Sequence, residues 1–206
     1  GAAYLSYPRG IAISGNYAYV TSQTNNALQV INITNPDAPI AAGSLINGAG
    51  GALLNAPYGI AVAGNYAYIA SSSSRALEIV NISNPAAPVH AGRLLNTTWL
   101  HGARAVAVAG NYAYVVSYIG NSLAVINVSN PAAPALVATL AHNAAGPLLS
   151  GATAIALSGN YAYVTSATSN ALQVIDISNP ALPVAKGSLV SGTAGAQLLS
   201  PTAVSV

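Results

Sequence analysis

Cysteine and methionine are both absent from this 206-residue chain, and charge is nearly so. Without cysteine there is neither a disulfide framework nor a thiolate metal site, although this leaves the compartment open. Only 4% of residues are charged, against about 25% in ordinary soluble proteins. Five Lys or Arg and three Asp or Glu give a formal net charge of +2. A nucleic-acid partner calls for a clustered basic face. Arg9, Arg75, Arg93, Arg104 and Lys186 are instead scattered along the sequence, so no nucleic acid is expected. Long apolar runs are missing too. Although 53% of residues are hydrophobic, Gly, Asn, Ser and Pro break every stretch before the roughly 18 residues of a membrane-spanning helix. No transmembrane segment is expected. The chain opens on Gly1 rather than Met, which reads as a processed or truncated product with any targeting segment out of view.

What is present is a repeat. Asn-Tyr-Ala-Tyr occurs at Asn16–Tyr19, Asn65–Tyr68, Asn111–Tyr114 and Asn160–Tyr163. Each copy follows a glycine, and Gly15, Gly64, Gly110 and Gly159 are spaced by 49, 46 and 49 residues. The pairs Asn35-Pro36, Asn84-Pro85, Asn130-Pro131 and Asn179-Pro180 keep the same intervals. Self-similarity at this period means stacked units, none of which can bury its apolar face alone.

One unit can be read from residues 9 to 46. Gly10–Ile13 alternates, Ser14-Gly15-Asn16 turns, and Tyr17–Ser22 alternates again. Gly-Asn between two alternating runs predicts a tight hairpin, because both residues tolerate positive φ. Gln23–Asn26 makes the next turn and Leu28–Ile33 a third strand. Asn35-Pro36-Asp37-Ala38-Pro39 then breaks the ladder, since proline has no N–H to donate, and a weaker strand follows near Ile40–Leu45. Four short antiparallel strands per unit specify a β-propeller blade, so the chain is expected to be all-β. The blades fall near 9–46, 58–95, 104–140 and 153–190. Large and small residues alternate within each, as at Tyr17-Ala18-Tyr19. One face is thus bulky and the other flat, which suits blades packed on both sides. The tyrosines are expected to fill the space between blades.

Gly159–Val164 and Leu172–Pro183 resemble the LVIVD-type propeller repeat. Tyr19-Val20-Thr21 and Tyr163-Val164-Thr165 are similar to the YVTN propellers of microbial surface and surface-layer proteins. The resemblance implies the fold and an extracellular or cell-surface setting, without one shared chemistry. The acidic residue of the family pattern survives only at Asp176; Asn32, Asn81 and Asn127 take its place and keep an acceptor for the following turn.

At the end of the chain, Leu198–Val206 repeats the start of a unit, so Thr202–Val206 reads as the first strand of a fifth blade. The alternatives are a closed four-blade ring, a piece of a longer propeller, two chains sharing one ring, and strand exchange between subunits. Exchange would cover an edge that otherwise invites aggregation.

Candidate chemistry is sparse. His90, His101 and His142 do not pair at ligand spacing, and Asp37, Glu78 and Asp176 each fit a turn or a surface pair, Glu78 with Arg75. No nucleophile elbow and no phosphate loop is present. Catalytic residues, cofactors and metals are therefore not expected, and the chain reads as a non-enzyme. Sequons occur at Asn32, Asn81, Asn96 and Asn127, candidates for glycan attachment. Tyr4, Tyr7, Tyr58, Tyr118 and Trp99 lie outside the packing motif and, with Thr202, Val204 and Val206, are candidates for an assembly or binding surface. The leading expectation is a non-catalytic structural subunit of a filament, sheath or surface layer, a homo-oligomer or polymer whose uncharged surface favours association. A glycan- or protein-binding propeller acting in adhesion is the alternative, and a fragment of a propeller enzyme the third reading.

Overall fold

Gly15, Gly64, Gly110 and Gly159 all adopt φ between +53° and +55°, so each Gly-Asn pair makes the hairpin its flanking pattern predicts. Around those hairpins the computed structural model, which describes residues 3–143 and 145–206, forms four sheets of four antiparallel strands. Blade 1 holds β1 (Pro8–Ser14), β2 (Tyr17–Ser22), β3 (Ala27–Asn32) and β4 (Ile40–Ile46). Blade 2 holds β5 (Pro57–Ala63), β6 (Tyr66–Ser71), β7 (Ala76–Asn81) and β8 (Val89–Leu95). Blade 3 holds β9 (Ala103–Ala109), β10 (Tyr112–Ser117), β11 (Ser122–Asn127) and β12 (Ala135–Ala141). Blade 4 holds β13 (Ala152–Ser158), β14 (Tyr161–Ser166), β15 (Ala171–Asp176) and β16 (Val184–Val190). Strands follow chain order in every sheet, and the fold is a β-propeller of four-stranded blades.

The core lies between blades. The bulky face of blade 1, with Tyr19, Leu28 and Val30, meets the flat face of blade 2, with Ala67, Ile69, Val80 and Ile82. Tyr68, Leu77 and Ile79 repeat this contact against Ala113, Val115, Ile126 and Val128 of blade 3. Tyr114, Leu123 and Val125 do so against Ala162, Val164, Ile175 and Ile177 of blade 4. Four blades thus share three apolar interfaces. The inner strands follow suit: β1 packs on β5, β5 on β9 and β9 on β13, while β13 has no comparable packing on β1. Among the described residues the blades form an open arc, and the closed four-blade ring does not occur.

Thr202–Val206 corrects one expectation. The segment forms no strand and pairs with none. Its approach is nonetheless that of a blade connection. Ser200 N–H donates to Asn170 Oδ1 at 2.8 Å, as Ala56 does to Asn26 and Gly151 to Asn121. Thr153 Oγ1 then donates to Pro201 O at 2.8 Å. The tail is led to the place of a fifth inner strand, but a lone strand with no second strand beside it has no ladder to join.

Candidate functional site

Two features of the arc stand out: its open ends, and a cluster of arginine and tyrosine at the starts of the inner strands.

At the ends, residues that are core elsewhere lie uncovered. Ile11 and Ile13 on β1 are 64% and 65% exposed, whereas their equivalents Ile60 and Val62 are packed at the first interface. Ile31 is half-buried although Val80, Ile126 and Ile175 at the same register are fully buried. On blade 4, Leu172 and Val174 are half-buried where Leu28, Val30, Leu77, Ile79, Leu123 and Val125 are fully buried. The arc therefore ends in a flat apolar face on blade 1 and a bulky one on blade 4.

Glycines show how closely a neighbour sits in the occupied interfaces. A Cβ on Gly43 of β4 would stand 2.7 Å from Ala86 O, in the Asn-Pro turn of the next blade. One on Gly92 of β8 would stand 2.9 Å from Ala132 Cα in the following blade's turn. Blade 3 has Ala138 at this register. Gly187 of β16 repeats the glycine, yet a Cβ there would meet nothing within 4 Å. Blade 4 keeps a seat shaped like those of blades 1 and 2, and no Asn-Pro turn fills it.

The second feature follows from equivalence. Arg9, Tyr58, Arg104 and Thr153 occupy the same register in β1, β5, β9 and β13, and Thr202 continues the series. Because the inner strands pack side by side, these side chains converge on one concavity of about 470 Å³. The Arg9 guanidinium lies 4.2 Å from the Tyr7 ring centroid and 4.6 Å from that of Tyr58. Arg104 lies 5.1 Å from Tyr58 and 4.5 Å from Tyr118. All four distances fall within cation–π range. Arg9 also donates from Nη2 to Tyr58 Oη at 3.2 Å and from Nε to Gln23 Oε1 at 2.6 Å.

Tyr7, Tyr58 and Tyr118 are thus brought together, and Tyr4 and Trp99 are not. Tyr4 is half-buried, and its N–H donates to Gln29 Oε1 at 2.8 Å. Trp99 packs against the core between blades 2 and 3. Val204 is half-buried, and Thr202 and Val206 are exposed. The sequon asparagines are all half-buried. Asn32, Asn81 and Asn127 accept from the N–H two residues on at 2.8, 2.9 and 2.9 Å, and Asn96 accepts from Thr98 at 3.1 Å and Trp99 at 2.8 Å. The sequence showed Arg9 and Arg104 only as scattered cations. The register they share with Tyr58 was the available sign of their convergence.

Glu78 requires a correction. It is no surface partner of Arg75: its side chain is fully buried, with Oε1 2.5 Å from His90 Nδ1 and Oε2 accepting from Leu53 N–H at 2.9 Å. Burial pushes its carboxyl above the usual carboxylate range, against the opposing pull of these hydrogen bonds. Asp176 caps its turn. Hydrogen bonds from Ser178 and then Lys186, whose Nζ is 3.3 Å away, hold it below that range. Asp37 lies in the turn after β3, where its N–H donates to Asn35 Oδ1. Among the described residues no three His, Asp or Glu side chains gather as metal ligands, and no helix is long and apolar enough to cross a membrane.

The chain is similar in fold to solved structures at low sequence identity. A functionally unknown protein from Desulfotomaculum acetoxidans is 15% identical with TM-score 0.57, over 91% of this chain and 71% of that one. A protein from Lactobacillus plantarum is 15% identical with TM-score 0.73, over 92% and 57%. The periplasmic gluconolactonase of Pseudomonas aeruginosa is 14% identical with TM-score 0.73, over 95% and 55%. The chain thus spans little more than half the length of the latter two. No curated protein matches its sequence. The LVIVD repeat model matches residues 7–46, 58–96, 102–141 and 151–190, one match per blade. With all four units and most of its length accounted for by that repeat, the chain belongs to the LVIVD repeat family.

Proposed function

We propose that this protein is a non-catalytic, extracellular or cell-surface structural module that assembles with copies of itself, blade 4 of one chain seating blade 1 of the next. The observation that carries this reading is the unfilled seat at Gly187, beside an uncovered bulky face, together with the uncovered flat face that complements it. The apolar contact would repeat one already made three times inside the chain, and Asn35-Pro36 of the incoming copy over Gly187 would repeat the glycine seat made twice, at Gly43 and Gly92. An interface joining two different faces closes into a ring or runs on as a filament according to its rotation. Blades that turn about a common axis favour closure, and two chains give eight blades, within the range of known propellers. Such rings, with 4% charged residues, have little repulsion to keep them apart in a sheath or layer. Glycans on Asn32, Asn81, Asn96 or Asn127 belong to the same reading and are checked by mass spectrometry of material from the native source. The relatives named as gluconolactonases support a shared fold alone, at 14% identity.

Light scattering after size-exclusion chromatography tests the assembly. The chain has a mass of 20.4 kDa. A particle of twice that mass or more at micromolar concentration is expected, and a dispersed monomer of single mass overturns the proposal.

A further inference from the structure

We infer that the concavity at the starts of the inner strands is a binding site for an acidic sugar, its carboxylate or sulfate held by Arg9 and Arg104. Arg9 lies against Tyr7 and Tyr58, and Arg104 against Tyr58 and Tyr118, a continuous stack of three rings and two cations. Rings against its faces leave the Arg104 guanidinium its in-plane N–H groups, while Arg9, whose Nε and Nη2 already donate to Gln23 and Tyr58, keeps Nη1 and its charge. That planar fork matches the two oxygens of a carboxylate or sulfate. Stacking also fixes the side chains beforehand, which lowers the entropy lost on binding.

Nothing among the described residues neutralises these cations. Glu78 is bonded to His90 and Asp176 to Ser178 and Lys186, and Asp37, in the turn after β3, forms no ion pair with either arginine. Neither Arg9 nor Arg104 has an ion-pair partner among the described residues. Two unneutralised cations in one concavity attract an anion. The remaining lining points to a hydroxylated one, since Ser200 and Thr202 stand beside the arginines. A volume of about 470 Å³ accepts a sugar unit or the end of a saccharide chain, and is too small for a nucleic-acid duplex. Arg9, Arg104 and the three tyrosines lie within one chain, so the inference goes beyond the assembly proposal, and of the lining only Thr202 belongs to the tail that an incoming β1 would displace.

The test is a calorimetric titration of the 206-residue chain, in whatever oligomeric state it adopts. The probes are sodium glucuronate, an oligogalacturonate, neutral glucose and sodium sulfate. Glucuronate is expected to bind at least tenfold more tightly than glucose or sulfate, and Arg104→Gln to weaken it at least tenfold. Arg104→Lys should restore only part of the affinity, because it returns the charge without the fork. Arg9→Gln serves as the second variant, with circular dichroism confirming that each variant folds. Tighter binding of the oligomer would place the natural ligand within a polysaccharide, and tighter binding of the monomer would identify a free sugar acid. Equal binding of glucose and glucuronate, no effect of either substitution, or no binding at 20 mM (about 2 kcal/mol of affinity) would overturn the inference. Sulfate binding as tightly as glucuronate would overturn its sugar component.

Discussion

The backbone N–H of Leu53 donates to Glu78 Oε2 at 2.9 Å, tying the connection between blades 1 and 2 to the third strand of blade 2. The same latch joins Tyr4 N–H to Gln29 at 2.8 Å and Leu148 N–H to Gln173 at 2.9 Å. In those blades the glutamine amide also donates to Gly43 O and Gly187 O. Glu78 is therefore the ionisable member of a latch that glutamine performs in blades 1 and 4. Glu78→Gln should keep the Leu53 bond and gain a donor toward Gly92 O, the carbonyl equivalent to Gly43 O and Gly187 O. Glu78→Ala should leave a buried N–H unpaired, at a cost of about 1–3 kcal/mol, read from denaturant unfolding.

The pH dependence follows from burial. The Glu78 carboxyl is held above its ordinary value, so the fold favours its neutral form. Its contribution to stability is full below the unfolded-state value and is lost as pH rises through the folded-state value. Melting curves of wild type and Glu78→Gln should lie close together in acid, with the variant the more stable at neutral pH. Asp176 works in the opposite sense, held below its ordinary value first by Ser178. Its contribution is present above the unfolded-state value and is lost as pH falls through the folded one. The advantage of wild type over Asp176→Asn should shrink on acidification.

Thr21 joins two blades through one hydroxyl. Its Oγ1 accepts from Gly10 N–H at 2.9 Å and donates to Tyr58 O in the next blade. Thr21→Val keeps the shape, leaves both partners unsatisfied and should cost about 1–3 kcal/mol. The loss should be visible as a lower unfolding midpoint.

Much of the fold was legible because the elements repeat local chemistry. Gly15-Asn16 and its three copies marked the hairpins, and Tyr-Ala-Tyr marked a bulky and a flat face, now seen in Tyr19 against Ala67 and Tyr68 against Ala113. The site was legible only in part. Tyr7, Tyr58 and Tyr118 stood out as tyrosines the packing motif did not use. Arg9 and Arg104 did not, because they are separated by a whole blade and meet the same Tyr58 ring only once inner strands align. Glu78 was misread for a similar reason: its partner His90 is on β8, and the neighbouring Arg75 in sequence is not in contact through an ion pair. Nor did composition reveal the open ends, since Ile11 and Ile60 look alike in sequence and differ only in whether a blade covers them.

The tail offers a test of how the seat is filled. Thr202–Val206 lies unpaired where an incoming β1 would pack. It has no ladder to lose, so it should yield. Deleting residues 202–206 should strengthen self-association in sedimentation experiments. Weaker association would mean that the tail itself enters the partner.

Gly187 separates folding from assembly. A side chain there meets nothing within the chain, whereas at Gly92 it would meet the backbone of the next blade at 2.9 Å. Gly92→Ala should lower the melting temperature of the chain, with overpacking of the order of 1–3 kcal/mol. Gly187→Ile should leave the fold unchanged by circular dichroism and fill the seat that the Asn35-Pro36 turn of another copy would need. Sedimentation velocity of wild type beside Gly187→Ile is the most direct measurement. Wild type is expected to sediment as a dimer or larger and Gly187→Ile as a folded monomer. Identical sedimentation of the two proteins, whether both as monomers or both as the same oligomer, would contradict it.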